Sequence, residues 1–188
     1  MGPIQTGVAY VPGSRCESEV DVGQQMTFDD VYDQYATQVH RFCLVLLRDP
    51  SAAEDVAAQA LAQAFAAFDR SQPAPDHVRL WLLRIARNAS IDYLRDRSRL
   101  HRLIRRLGTN QQPGQDPEAV AVTHLEVLRL LATMRTLRPR ERELIGLRCG
   151  AQLSYGEIGE LLGLSENSAT AATHRAIRRL RELLEDDQ

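Results

Sequence analysis

The residues best placed to do chemistry in this chain are the arginines that recur between Trp81 and Arg106. A helix turns about 100° per residue. On that wheel Asn88, Arg95, Arg99, Arg102 and Arg106 fall on one side of Arg84, with Arg87 and Arg105 on the other and Trp81 joining the basic side. Guanidinium groups at this period can follow a phosphate backbone, and an indole can stack on an unpaired base. The chemistry indicated is the gripping of a polyanion. The opposite side of the wheel carries Leu82, Ile85, Ala86, Ala89, Tyr93, Leu100, Leu103, Ile104 and Leu107, which predicts a core face. Any solvated helix sets charges opposite an apolar stripe, so the sign of the charges decides. Between His77 and Arg106 nine arginines face only Asp92 and Asp96, whereas an ordinary solvated face mixes both signs.

The elements around this stretch hide its charge. Residues 1–76 hold four arginines and eleven acids, residues 107–188 hold ten and twelve, and the whole chain nets −2. All 23 basic residues are arginine, which favours planar, bidentate contacts with phosphate and guanine edges. Catalysis is not expected, because His40, His77, His101, His124 and His174 do not pair with Cys, Asp or Glu at metal-ligand spacing and there is no phosphate-cradling Gly loop. Neither a metal nor a cofactor is therefore expected. Cys16, Cys43 and Cys149 are too scattered for a disulfide framework, and Cys43 lies in an apolar run that predicts a buried thiol. No run approaches the roughly 20 apolar residues of a membrane span. The first residues also lack the basic start and apolar stretch of a signal peptide, so the expected location is the cytoplasm without membrane insertion.

Periodicity predicts an all-α chain. Residues 1–25 read as a flexible extension. Phe28, Val31, Tyr35, Val39, Phe42 and Leu46 predict a helix that stops at Asp49-Pro50. Ser51-Ala-Ala-Glu54 reads as a capping box opening an Ala-rich helix over residues 51–68, followed by a loop over 70–76 and the long basic helix from His77. Residues 108–117 have linker composition, which separates a domain at 26–107 from one at 118–188. The second domain reads as four helices: 118–134, 138–148 with Pro139 in its first turn, 154–162 behind a Ser154–Glu157 capping box, and a last one from Asn167 or Ser168. A short capped helix, the turn Gly163-Leu-Ser and a second helix form a helix-turn-helix pattern. On the last helix Ala169, Thr173, Ala176, Ile177, Leu180, Leu183 and Leu184 point inward, leaving Ala171, His174, Arg175 and Arg178 as groove readers. A plain helical hairpin, a free-standing regulator and a helical adaptor all remain open at this level.

Four segments in fixed order narrow the choice. Phe42-Cys-Leu-Val-Leu-Leu-Arg-Asp-Pro-Ser-Ala-Ala-Glu-Asp55, Trp81-Leu-Leu-Arg-Ile-Ala-Arg-Asn-Ala-Ser-Ile-Asp-Tyr-Leu-Arg95, Leu137-Arg-Pro-Arg-Glu-Arg-Glu-Leu144 and Leu153-Ser-Tyr-Gly-Glu-Ile-Gly-Glu-Leu-Leu-Gly-Leu164 closely resemble an extracytoplasmic-function sigma factor of the sigma-70 family. The resemblance spans roughly residues 27–185. It implies a region 2 domain for the minus-ten promoter element and its melting, and a region 4 helix-turn-helix domain for the minus-thirty-five element. Its implied partners are core RNA polymerase, through the β and β′ subunits, promoter DNA, and an anti-sigma antagonist.

Residue by residue, the resemblance turns Asp55, Gln59 and Gln63 toward the clamp helices of the polymerase. The loop at 70–76 would receive a flipped base, with Trp81, Arg84, Arg87 and Asn88 at the upstream edge of the bubble. Arg95, Arg99 and Arg102 would hold phosphates without reading sequence. In region 4, Ser168 would hold a phosphate, while Ala171, Ala172, His174, Arg175 and Arg178 would lie in or beside the major groove. The chain departs from the family pattern at Ala58-Gln59, where a Gln-Glu pair is usual, and at Thr170 and Ala172, where basic residues are usual. The second departure shifts expected sequence reading toward thymine methyl contacts and DNA shape.

Overall fold

The computed structural model describes residues 26–106 and 129–186, and everything regular in them is helical. Helix α1, Phe28–Leu47, opens on a capping box in which Thr27 accepts from the Asp30 amide and Asp30 accepts from the Thr27 amide. Its apolar spacing buries Val31, Val39, Phe42, Cys43, Leu46 and Leu47. Complete burial of a side chain such as Phe42 contributes about 1.5–3 kcal/mol. Arg48 ends α1 in the left-handed region, φ 60°.

Helix α2, Pro50–Ser71, begins one residue earlier than the Ser51 capping box predicts. Proline has no amide to leave unsatisfied at the first helical position, so Pro50 starts the helix and Asp49 is its cap, accepting from the Ala52 amide at 3.2 Å. The helix also runs on to Ser71, which shortens the expected loop to residues 72–77. The alanines at 53, 60 and 64 are fully buried, and such small side chains let α2 lie close to its neighbours.

Helix α3, Val78–Arg106, has 29 residues and at 1.5 Å per residue is roughly 44 Å long. Its buried positions are Val78, Leu80, Leu82, Leu83, Ala86 and Ser90. Leu100 and Leu103, expected in the core, are 56 % and 54 % exposed, because α3 outruns the helices beneath it. Asp49, at the junction of α1 and α2, still reaches Arg97 at 3.4 Å. Leu107, placed on the same face, lies outside the described residues, as do the extension at 1–25 and the linker at 108–117.

The second half begins with helical residues 129–133 and a tight turn, Met134–Thr136, then α4, Pro139–Ile145. The helix expected over 138–148 changes character after Ile145, becoming a π-helical turn, Gly146–Gly150, in which the Ala151 amide bonds the Gly146 carbonyl at 2.9 Å. That turn presses Gly150 against α1. A methyl group on Gly150 would lie 3.0 Å from the Arg41 carbonyl oxygen, so glycine is what permits the approach. Helix α5, Tyr155–Leu162, keeps the expected Ser154–Glu157 box, and Gly163 makes the turn at φ 66°. Helix α6, Glu166–Glu185, starts slightly earlier than expected because Ser165 caps it.

The two halves do not hang apart. Phe42, Val56 and Leu82 from the first and Leu144, Leu147, Leu153 and Ile158 from the second belong to one continuous apolar core. No helix among the described residues is long and apolar enough to cross a membrane.

Candidate nucleic-acid interface

On α3, Arg84 and Asn88 are exposed without partners among the described residues. Trp81 is not the freely exposed indole that the sequence predicts. It is half-buried, its ring edge-on to Phe68 at 6.2 Å, and Phe68 packs against Phe28, which packs against Phe65. Aromatic rings prefer such tilted contacts. The cluster ties the indole to the start of α1 and the end of α2 and fixes its position within the protein.

Arg87 also departs from expectation. Its Nε donates to Glu143 of α4 at 2.5 Å, and the same nearly buried carboxylate takes Arg140 at 2.7 Å. Here Arg87 is a strut between the two domains rather than a free cation. Farther along, Arg95 pairs with Asp92 at 3.1 Å, Arg99 with Asp96 at 3.2 Å, and Arg102 donates to the Ser98 carbonyl at 3.2 Å. The two exposed ion pairs hold by about 0.2–0.5 kcal/mol each, so exchanging either carboxylate for another anion would cost little.

Sequence reasoning missed Arg79. Its Nε donates to Gln38 at 3.1 Å, Nη1 to Glu157 at 3.2 Å, and Nη2 to the carbonyls of Ala151 and Gln152 at 2.6 and 2.9 Å. One guanidinium thus ties α1, α3 and the start of the helix-turn-helix together. The available signal was local, since Arg79 stands between buried Val78 and Leu80. Burial of Glu157 would raise its pKa, but hydrogen bonds from the Ser154 amide and hydroxyl, then the Arg79 charge and hydrogen bond, outweigh burial and hold it below the usual carboxylate range.

On α6, Ala171, His174, Arg175 and Arg178 are exposed as the wheel predicts, whereas Ala172 is half-buried against the core and sits beside the outward face. Ser168 is not the helix cap. Its amide donates to Ser165 at 3.2 Å and its hydroxyl accepts from the Ser165 hydroxyl at 2.8 Å, which places it in the first turn, inside the cap that Ser165 makes. Arg175, Arg178 and Arg179 join Arg138 around an open polar cavity of about 400 Å³, with Glu141 and Glu182 as counter-charges. On α2, Asp55, Gln59 and Gln63 are all exposed, four residues apart on one side. Beside them an apolar groove of about 620 Å³ runs between α1 and α2, lined in part by Tyr32, His40, Leu61 and Phe65. Among the described residues no three His, Cys, Asp or Glu side chains converge as a metal site would require.

Two family descriptions match the chain: Sigma-70 region 2 over residues 31–100 and Sigma-70, region 4 over residues 133–182. The ECF RNA polymerase sigma factor SigM of Bacillus subtilis is 31 % identical over 162 residues, covering 84 % of this chain and 95 % of the relative. The ECF RNA polymerase sigma factor BldN of Streptomyces coelicolor is 28 % identical over 166 residues, covering 88 % of this chain; the match spans 63 % of that longer relative. Among solved structures, the sigma factor RpoE in complex with the anti-sigma factor NepR from Bartonella quintana superposes with a TM-score of 0.69 at 22 % identity, over 86 % of this chain and 98 % of the other. That likeness is one of fold.

Proposed function

This chain belongs to the extracytoplasmic-function sigma factors, which act with RNA polymerase in transcription initiation, and from that membership we propose how its surfaces divide the work. In this reading α2 meets the clamp helices of β′ through Asp55, Gln59 and Gln63, with region 4 engaging β. Helix α3 opens the minus-ten element: Trp81 stacks at the upstream edge of the bubble while Arg84 and Asn88 hold the separated strands. The observation that carries the reading is an indole clamped by aromatic neighbours beside two uncommitted polar side chains, Arg84 and Asn88. Taking a base out of its stack costs a few kcal/mol, and a pre-placed aromatic returns about 1–3 kcal/mol per base. Arg95, Arg99 and Arg102 hold phosphates, and α6 enters the major groove with Ala171, His174, Arg175 and Arg178 outward, Ala172 alongside and Ser168 near the backbone.

The domains must separate for this to happen. Promoter elements about twenty-five base pairs apart lie roughly 85 Å from each other at 3.4 Å per step. A compact chain of this length has a radius of gyration near 16 Å. Separation also frees Arg87 from Glu143 to join the DNA-facing row. We place the working boundaries at 26–107 and 118–188, joined by the linker at 108–117, and the protein in the cytoplasm beside the polymerase, without catalytic chemistry of its own. An anti-sigma partner that grips both domains would act by holding them together.

In vitro transcription with bacterial core enzyme on a genomic fragment library tests the reading. Initiation at a common two-element motif that requires this protein is the expected result. Specific duplex binding by the protein alone, with no effect on core enzyme, would overturn it in favour of a free-standing regulator.

A further inference from the structure

At the first position of α5, Tyr155 reaches across the helix-turn-helix to α6, its hydroxyl 3.0 Å from Nε2 of His174. The two rings lie 5.5 Å apart with their planes inclined at 38°. The guanidinium carbon of Arg148 sits 4.9 Å from the centre of the Tyr155 ring, and Arg148 itself is anchored by donating to the Leu153 carbonyl at 2.8 Å. Three side chains from the π-helical turn, α5 and α6 therefore form one braced unit on the face assigned to the groove.

The bond has a chemical consequence. Whichever of the two atoms donates, the bond occupies Nε2 and holds the ring in place, which leaves Nδ1 as the ring nitrogen turned to a ligand; with the phenol as donor, Nδ1 carries the ring proton and is the remaining donor. An unbraced exposed histidine would exchange tautomers and rotamers. Toward the start of α6 the neighbours of His174 offer little, since the Thr170 hydroxyl donates to the Glu166 carbonyl at 2.8 Å and Ala171 and Ala172 carry no side-chain donor, so that beside Arg175 and Arg178 the imidazole is the reader at this end of the helix. Guanine shows two acceptors, N7 and O6, on its major-groove edge.

Resting on the reading of α6 as the helix for the minus-thirty-five element, we propose that Tyr155 is a positioning residue that holds His174 to read one guanine in that element.

The test uses the full chain with core enzyme and promoters whose upstream element is randomised while the minus-ten element stays fixed. The wild-type protein should prefer guanine at one position by roughly fivefold, the size of a single net hydrogen bond. Tyr155→Phe, which keeps the ring, and His174→Ala should each flatten that position alone, and the double variant should go no further. Unchanged thermal melting of Tyr155→Phe completes the expected result. Retention of the guanine preference in Tyr155→Phe, or equal weakening at every position, overturns the proposal. A wild-type profile flat across the upstream element with minus-ten dependence intact overturns the α6 assignment and this pair while leaving the sigma-factor role standing. Absence of any promoter-directed transcription overturns both.

Discussion

Along α3 the outward side chains are guanidiniums set a turn away from carboxylates, whereas α6 turns out Ala171, a histidine braced by Tyr155 and four arginines, Arg175, Arg178, Arg179 and Arg181, two of which share Glu182. The first helix is almost wholly positive, nine arginines against Asp92 and Asp96; the second balances its four arginines with Glu166, Glu182 and Glu185. A charge-rich face releases counterions and binds with steep salt dependence whatever the sequence. A face that balances its charges around a small side chain and a held imidazole relies more on base-edge hydrogen bonds and DNA shape. In the proposed function the chain would then draw most of its salt-dependent grip from α3 and more of its selectivity from α6.

The sharpest way to break that comparison is Trp81→Ala. Loss of a stack worth about 1–3 kcal/mol should cut strand opening roughly tenfold or more while polymerase binding persists, read by permanganate footprinting of the non-template strand. Normal opening would reduce α3 to a purely electrostatic clamp. Next in size, Arg175→Ala should cost about 1–3 kcal/mol only on promoters with the upstream element, and equal loss on promoters lacking it would deny α6 its selectivity. Glu143→Gln, which weakens the struts to Arg87 and Arg140, should expand the free protein in small-angle scattering and speed its capture by core enzyme a few-fold. An unchanged scattering profile would show that the apolar seam alone keeps the halves together. Arg99→Ala should lower binding evenly across sequences and reduce the salt slope by about one, so an altered base preference would contradict a sequence-blind α3.

The smallest effect concerns pH. Glu157 is held below its ordinary value of 4.5, so its contribution is complete above that value and disappears as acid protonates it in the folded state. Melting temperatures followed downward through about 4.5 should fall less steeply for Glu157→Gln than for the wild type. Parallel curves would remove Glu157 from the contacts that close the molecule.

Much of the local structure was legible in the sequence because its causes are local. The Ser154–Glu157 box, Gly163 in the turn, the buried stripe of α1 and the exposure of Asp55, Gln59 and Gln63 all follow from periodicity and capping. Asp49 and Ser51 are both good caps, and only the proline between them settles which one serves. What stayed hidden is pairing at a distance. Arg87 reads as one more member of a basic row until Glu143, 56 residues away, is set against it, and Arg79 has no visible role until Ala151 and Gln152 fold onto it. A wheel shows which side of a helix is apolar and does not show where its neighbours stop, which is why Leu100 and Leu103 were misassigned.

The apolar seam that joins Phe42 and Leu82 to Leu147 and Ile158 governs the lifetime of the idle protein. A shared interior makes the resting chain melt as a single cooperative unit and denies proteases a loosely hinged pair of modules. Parting the modules, as the proposed function requires, would bare a greasy surface that water penalises, and the working shape would survive only while a much larger machine covered the wound. Turnover of this subunit in the cell should then track how much unoccupied polymerase is at hand.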